Sequence, residues 1–285
     1  MTDEIRSPQR WAFDLTHVLN ALCANTDRFP VDVSSIAKDY SKHRFPDDPI
    51  TLIKGTHLDG FEGALFRAPT GKKGWGIIYN SSITSIGRIN FTLAHEFGHY
   101  LLHRLSHPEG IQCSTQDVIK WNSEYGKIEN QANEFASTLL MPLDDFRIQI
   151  ANNHKPTLDE LGSCADRYNV SLIAAVLRWL DYTHCRACRV VSRDGFVLWA
   201  RSSSRALRTR IYFKTSDRPP IPIPPSSLAA LRRHIDGSRA SVSHNKNIWF
   251  PEPCDEDVLF ADQYDFTMSL LHFEDASPQY KWNRE

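Results

Sequence analysis

Phe91-Thr92-Leu93-Ala94-His95-Glu96-Phe97-Gly98-His99-Tyr100-Leu101-Leu102-His103 decides how the rest of the chain is read. On an α-helix, two histidines four residues apart stand almost one above the other, so His95 and His99 can reach one metal ion. Glu96 points to the neighbouring side of the same face, where it can take a proton from water activated by that ion. A helix is expected here, because Phe91, Leu93, Ala94, Phe97, Leu101 and Leu102 form a broad apolar face and no proline interrupts residues 82–107. Gly98 lowers local helix propensity, which predicts close approach of another element. A carboxylate and two imidazoles on so apolar a helix are costly without a role. The pattern is HExxH, the two ligands and general base of zinc peptidases.

The third ligand must come from elsewhere. A third histidine at metzincin spacing needs Gly at 102 and His at 105, and the chain has Leu102 and Leu105. His103 lies two turns, about 11 Å, beyond His95, which suits an orienting or packing role better than ligation of the same ion. A carboxylate on a second helix is the better candidate. Residues 127–141 read as that helix, with an apolar stripe of Ile128, Ala132, Phe135, Ala136, Leu139 and Leu140. Glu129 falls about 60° from the stripe centre and Glu134 about 160° away, so Glu129 borders the buried face and Glu134 faces solvent. Asn133, one turn after Glu129, is placed to orient a ligand by hydrogen bond. Glu124 is a weaker rival, expected before the helix. His103, His107 and Tyr125 are candidates to stabilise an oxyanion.

The HExxH helix, followed by Glu129-Asn130-Gln131-Ala132-Asn133-Glu134-Phe135-Ala136 and Leu139-Leu140-Met141-Pro142, resembles the ImmA/IrrE family of metallopeptidases. The resemblance spans residues 30–182 and is strongest over 76–142. It implies His95, His99 and Glu129 as metal ligands and Glu96 as catalytic base, in a gluzincin-like HExxH…E arrangement. Asn90 departs from the basic residue many members carry before the Phe; Arg88 is a substitute. The family is typically intracellular and often cuts a partner repressor of the helix-turn-helix type in stress or mobile-element responses.

Hydrophobic residues make up 41% of the 285, charged residues 24%, and the net charge is −1, which gives no general pull toward nucleic acid or membrane. No apolar run is long enough to span a bilayer, and the acidic start lacks the features of a signal peptide. Cys23, Cys113, Cys164, Cys185, Cys188 and Cys254 are too scattered for a disulfide framework, which fits a reducing cytoplasm.

The patterns predict an α+β chain. Residues 8–24 and 31–40 read as helices, the second capped by Ser34 or Ser35. Residues 50–53, 63–66 and 76–79 read as strands, the last with a free edge beside the metal for an extended substrate. Residues 157–182 form two helices spaced like a helix-turn-helix, but the second, Leu172–Leu180, offers only Arg178 to DNA, so packing is favoured. Cys185 and Cys188 are expected as buried thiols rather than, with Cys254, a zinc site. Further on, 190–191, 196–199, 211–213, 248–250 and 266–273 read as strands, Asp194-Gly195 as a hairpin turn, 219–225 as a stiff connector, and 227–235 as a helix. Residues 186–239 hold twelve Arg or Lys against three Asp, and 251–285 hold nine acids against two bases. Such segregation comes from mutually attracting faces or from a docking surface.

The expected organisation is a zincin-like metallopeptidase domain at 1–150, a helix-turn-helix-like linker at 151–184, and a β-rich sensor or docking domain at 185–285. The expected activity is zinc-dependent endopeptidase action, with manganese as the other ion, on a helix-turn-helix repressor. The alternative is a non-proteolytic metal-containing sensor or docking module, or a DNA-binding regulator.

Overall fold

The computed structural model describes residues 6–23, 28–114, 124–215, 218–232, 238–261 and 265–275. Helices and sheets are mixed, an α+β chain, in two compact units. The first comprises 1–146 with 165–171, the second 147–164 with 172–285.

In the first unit, α1 (Pro8–Leu22) and α2 (Val33–Arg44) precede β1 (Ile50–Thr56), β2 (Phe61–Arg67) and β3 (Trp75–Asn80). Then come α3 (Ile86–His103), β4 (Gly110–Ser114) and α4 (Glu124–Leu140). The cap of α2 is Asp32, not a serine: its carboxylate accepts from Ser35 N at 3.0 Å. The sheet order is β1-β3-β2-β4, with β1 parallel to β3 and the other pairs antiparallel. β3 is therefore paired on both sides and has no free edge. Among the described residues, β4 is the strand left with one partner at that end of the sheet. Helix α4 starts at Glu124, so Gly126 lies inside the helix rather than ahead of it. Trp11, Leu15, Trp75, Ile77, Phe97, Tyr100, Phe135 and Leu139 are buried between sheet and helices. Gly98 lets α4 close onto α3: a Cβ there would lie 2.9 Å from the Phe135 ring and 3.3 Å from Ala132 Cα.

α5 (Leu143–Gln149) and α6 (Leu158–Tyr168) follow, and Asn169 turns the chain at φ 50° into α7 (Leu172–Tyr182). Arg178, expected to face outward, is 6% exposed, and Asp181 is the exposed residue of α7.

The second unit holds a six-stranded antiparallel sheet, ordered β7-β6-β5-β10-β9-β8. Its strands are β5 (Arg186–Arg193), β6 (Phe196–Ser202), β7 (Ile221–Pro222), β8 (Arg239–His244), β9 (Cys254–Ala261) and β10 (Phe266–Phe273). Asp194 and Gly195, at φ 51° and 81°, make the expected turn. The proline run is not merely a connector, since β7 pairs with β6 within it. Residues 211–213 and 248–250 are not strands. Ile211 and Trp249 are buried in the core from irregular segments, and Ile211 N bonds Ala206 O at the end of α8 (Ser204–Arg208). Helix α9 (Leu228–Leu231) ends where Arg232 turns left-handed; 233–235 lie outside the described residues. Cys185, Cys188 and Cys254 are buried free thiols, and burial pushes Cys188 up to about 11 and Cys254 up to about 12.

Several bases of the 186–239 stretch pair inside this unit: Arg186 with Glu252, Arg193 with Asp265, Arg201 with Asp181, and Arg239 with Asp159. Two of these acids, Glu252 and Asp265, belong to the 251–285 stretch, so attraction between the two stretches accounts for part of the charge segregation.

His272 on β10 is 4% exposed, its ring 5.4 Å from that of Trp179. Burial first, then the Lys155 charge, lowers it to about 4. Above pH 6.5 the ring is neutral whether folded or unfolded. As pH falls below 6.5 the unfolded chain takes up the proton first, and stability is lost until about pH 4. This group should cost about 2 kcal/mol at pH 5 relative to pH 7. Urea unfolding of His272→Gln at the two pH values should show that much less acid sensitivity than the parent chain.

Candidate metal centre

Ser85 caps α3, and the helix then carries the motif inward, so that His95, Glu96, His99 and His103 are all buried. Helix α4 packs across it and brings Glu129, 8% exposed, to the two histidines. Glu129 Oε2 is 3.2 Å from His95 Nε2, and Oε1 is 3.3 Å from His99 Nε2. The two Nε2 atoms are 2.9 Å apart. Among the described residues this is the one cluster of three or more such side chains able to hold an ion. Glu134, one helix face away, is exposed and bonds Gln9.

The chemistry of the donors fits a metal ion. Four donors about 2.0–2.2 Å from a tetrahedral ion stand roughly 3.3 Å from one another. The observed separations of 2.9, 3.2 and 3.3 Å come close to that, with one corner left over. His95 Nδ1 lies 3.0 Å from Asn133 Oδ1, an acceptor, so Nδ1 carries the proton and Nε2 presents a lone pair to the cluster. Electron-rich atoms so close together repel unless a cation lies between them.

Without an ion, protons partly take that role. Burial works against a charged His95, but the Glu129 hydrogen bond and the Glu96 and Glu129 charges outweigh it and raise its pKa. Burial, with the His95 and His103 charges adding to it, lowers His99 to about 3. Burial would raise Glu129, but the hydrogen bond from His95 and the close approach of the His99 ring hold it well below the usual carboxylate range.

Glu96 is 0% exposed. Strand β2 crosses it at Gly63, where a Cβ would lie 2.8 Å from Glu96 Oε1 and 2.5 Å from Thr92 Cγ2. Only glycine lets the strand come so close, and β2 has a register irregularity between Phe61 and Gly63. Gly63 carried no signal in the sequence beyond being a glycine in a strand. Arg88 bonds Glu62 on this strand. Of the oxyanion candidates, His103 is engaged otherwise: its Nδ1 is 3.0 Å from His99 Nδ1 and its Nε2 is 2.9 Å from Gln131 Oε1. His107 Nδ1 lies 3.0 Å from Ser106 Oγ.

No curated protein matches the chain. The peptidase family model described as the IrrE N-terminal-like domain matches residues 50–180, a span that runs from β1 through the buried triad to α7. A helix–helix crossing that gathers two imidazoles and a carboxylate, inside a stretch with that match, makes residues 50–180 part of the ImmA/IrrE peptidase family.

Proposed function

We propose that this chain is a zinc-dependent endopeptidase that cuts a regulatory protein, a helix-turn-helix repressor, in a cytoplasmic stress or mobile-element response. The observation that carries the reading is a buried carboxylate, Glu96, next to the converging Nε2 atoms of His95 and His99 and the carboxylate of Glu129. Two imidazoles and a carboxylate suit zinc, with manganese the other ion such a set accepts. When bound, the ion supplies Lewis acidity to the scissile carbonyl and to the attacking water. His95, His99 and Glu129 hold it, and Asn133 orients His95. Glu96 takes the proton of the attacking water and returns it to the leaving amine. The close approach of β2 at Gly63 keeps Glu96 out of bulk water. The substrate lies extended, pairing with the side of β4 that has no partner among the described residues.

The repressor is proposed through the family, and direct DNA binding is disfavoured by an α7 without an outward-facing base. No described helix is long and apolar enough to cross a membrane. The test is incubation of the purified protein with a candidate helix-turn-helix regulator, one encoded beside it being the first choice. A single new amino terminus should form, a chelator should stop its formation, and stoichiometric Zn²⁺ should restore it. Cleavage at an undiminished rate in excess chelator would rule the metal reading out.

A further inference from the structure

We propose that Gln131, acting through His103, fixes which ring nitrogen of His99 is free to bind the ion, and so serves as a positioning residue; this rests on His99 being a metal ligand. A neutral imidazole has one N–H and one bare nitrogen. His99 Nδ1 and His103 Nδ1 are 3.0 Å apart, so one proton lies between them and the two rings do not choose their tautomers independently. His103 Nε2 is 2.9 Å from Gln131 Oε1. Facing a carbonyl oxygen, that nitrogen carries the proton and donates it. His103 Nδ1 is then bare and accepts from His99 Nδ1–H. His99 Nε2 is left bare, and this is the atom 2.9 Å from His95 Nε2 and 3.3 Å from Glu129 Oε1.

Turning the Gln131 amide over reverses every donor in the row. Gln131 then donates, His103 holds its proton on Nδ1, and His99 carries a proton on Nε2, where it cannot coordinate. The two rings are buried, whereas Gln131 is exposed, so the setting is made at the outer end of the row. Glutamate at 131 only accepts and keeps the coordinating setting; leucine neither accepts nor donates and removes it.

The experiment compares wild type with Gln131→Leu and Gln131→Glu in two measurements. Zinc affinity is read by competition with a chromophoric chelator. The His99 tautomer is read by ¹⁵N–¹H correlation spectra of the metal-free proteins. In Gln131→Leu the zinc Kd should rise about 10–100-fold, whereas Gln131→Glu should stay within about threefold of wild type. The spectra should place the His99 proton on Nδ1 in wild type and Gln131→Glu, and predominantly on Nε2, facing Glu129, in Gln131→Leu. An unchanged Kd in Gln131→Leu, an equal loss in both variants, or an Nε2 proton on wild-type His99 would overturn the proposal. Wild-type protein that takes up no zinc would instead overturn the metal reading, and the spectra alone would then decide the role of Gln131.

Discussion

Glu96→Gln should lose roughly 10³–10⁴-fold in the rate of peptide hydrolysis and keep its full metal content. That loss corresponds to about 4–5 kcal/mol in the barrier. The amide has the shape of the carboxylate and fits the same space between Thr92 and Gly63. It does not remove the ligands, since the Nε2 atoms of His95 and His99 and both Glu129 oxygens form the cluster without it. What the amide lacks is a basic oxygen, so water is no longer deprotonated as it attacks. The clean readout is zinc stoichiometry and single-turnover cleavage on the same preparation. A variant that retains zinc and a tenth of the activity would remove Glu96 from the mechanism. A variant that fails to cut the proposed repressor but still derepresses the target in cells would turn the reading toward a docking module.

The site was legible in the sequence because its logic is local. His95 and His99 share a face by helical periodicity alone, and the angle of Glu129 from the α4 stripe separates it from Glu134, which the structure leaves exposed. Gly98 was read as a point of close approach, and Phe135 fills that space. The misreadings are non-local. Whether β3 has a free edge depends on β1 and β2, which lie earlier in the chain, and no pattern within residues 75–80 states how they pair. Ile211 and Trp249 have the apolar character of strand residues, yet they reach the core from loops; burial alone does not demand a ladder. Strands β8 and β9 were missed because alternation along Arg239–His244 and Cys254–Ala261 is carried by Ser, Asp and Glu as much as by apolar residues. Helix α4 begins at Glu124 because Gly126 weakens a helix without ending it.

Glu256 is the clearest case of a residue the sequence concealed, and its replacement should have the largest effect on stability. Among the nine acids of 251–285 nothing marks it out, yet it is 0% exposed. Its carboxylate accepts from Leu228 N at 2.8 Å and Ala229 N at 3.2 Å, the first amides of α9. It also accepts from His244 Nε2 at 2.6 Å, Trp249 Nε1 at 3.1 Å and Ser269 Oγ at 2.8 Å. One side chain therefore ties together α9, β8, β10 and the loop before β9. Glu256→Ala would leave five donors without an acceptor in a space too apolar for them, and each buried unsatisfied group costs about 1–3 kcal/mol before relaxation. Water entering the gap would recover part, leaving a net loss of about 4–5 kcal/mol. Glu256→Gln should lose about half as much, because it keeps one acceptor oxygen but turns an N–H₂ toward groups that are themselves donors. Urea unfolding gives the total. Hydrogen exchange at Leu228 and Ala229 gives the local effect, since those amides should lose protection in both variants. A loss below about 1 kcal/mol in Glu256→Ala, with those amides still protected, would mean that the five hydrogen bonds are easily replaced by water and that the second unit is held by its apolar core alone.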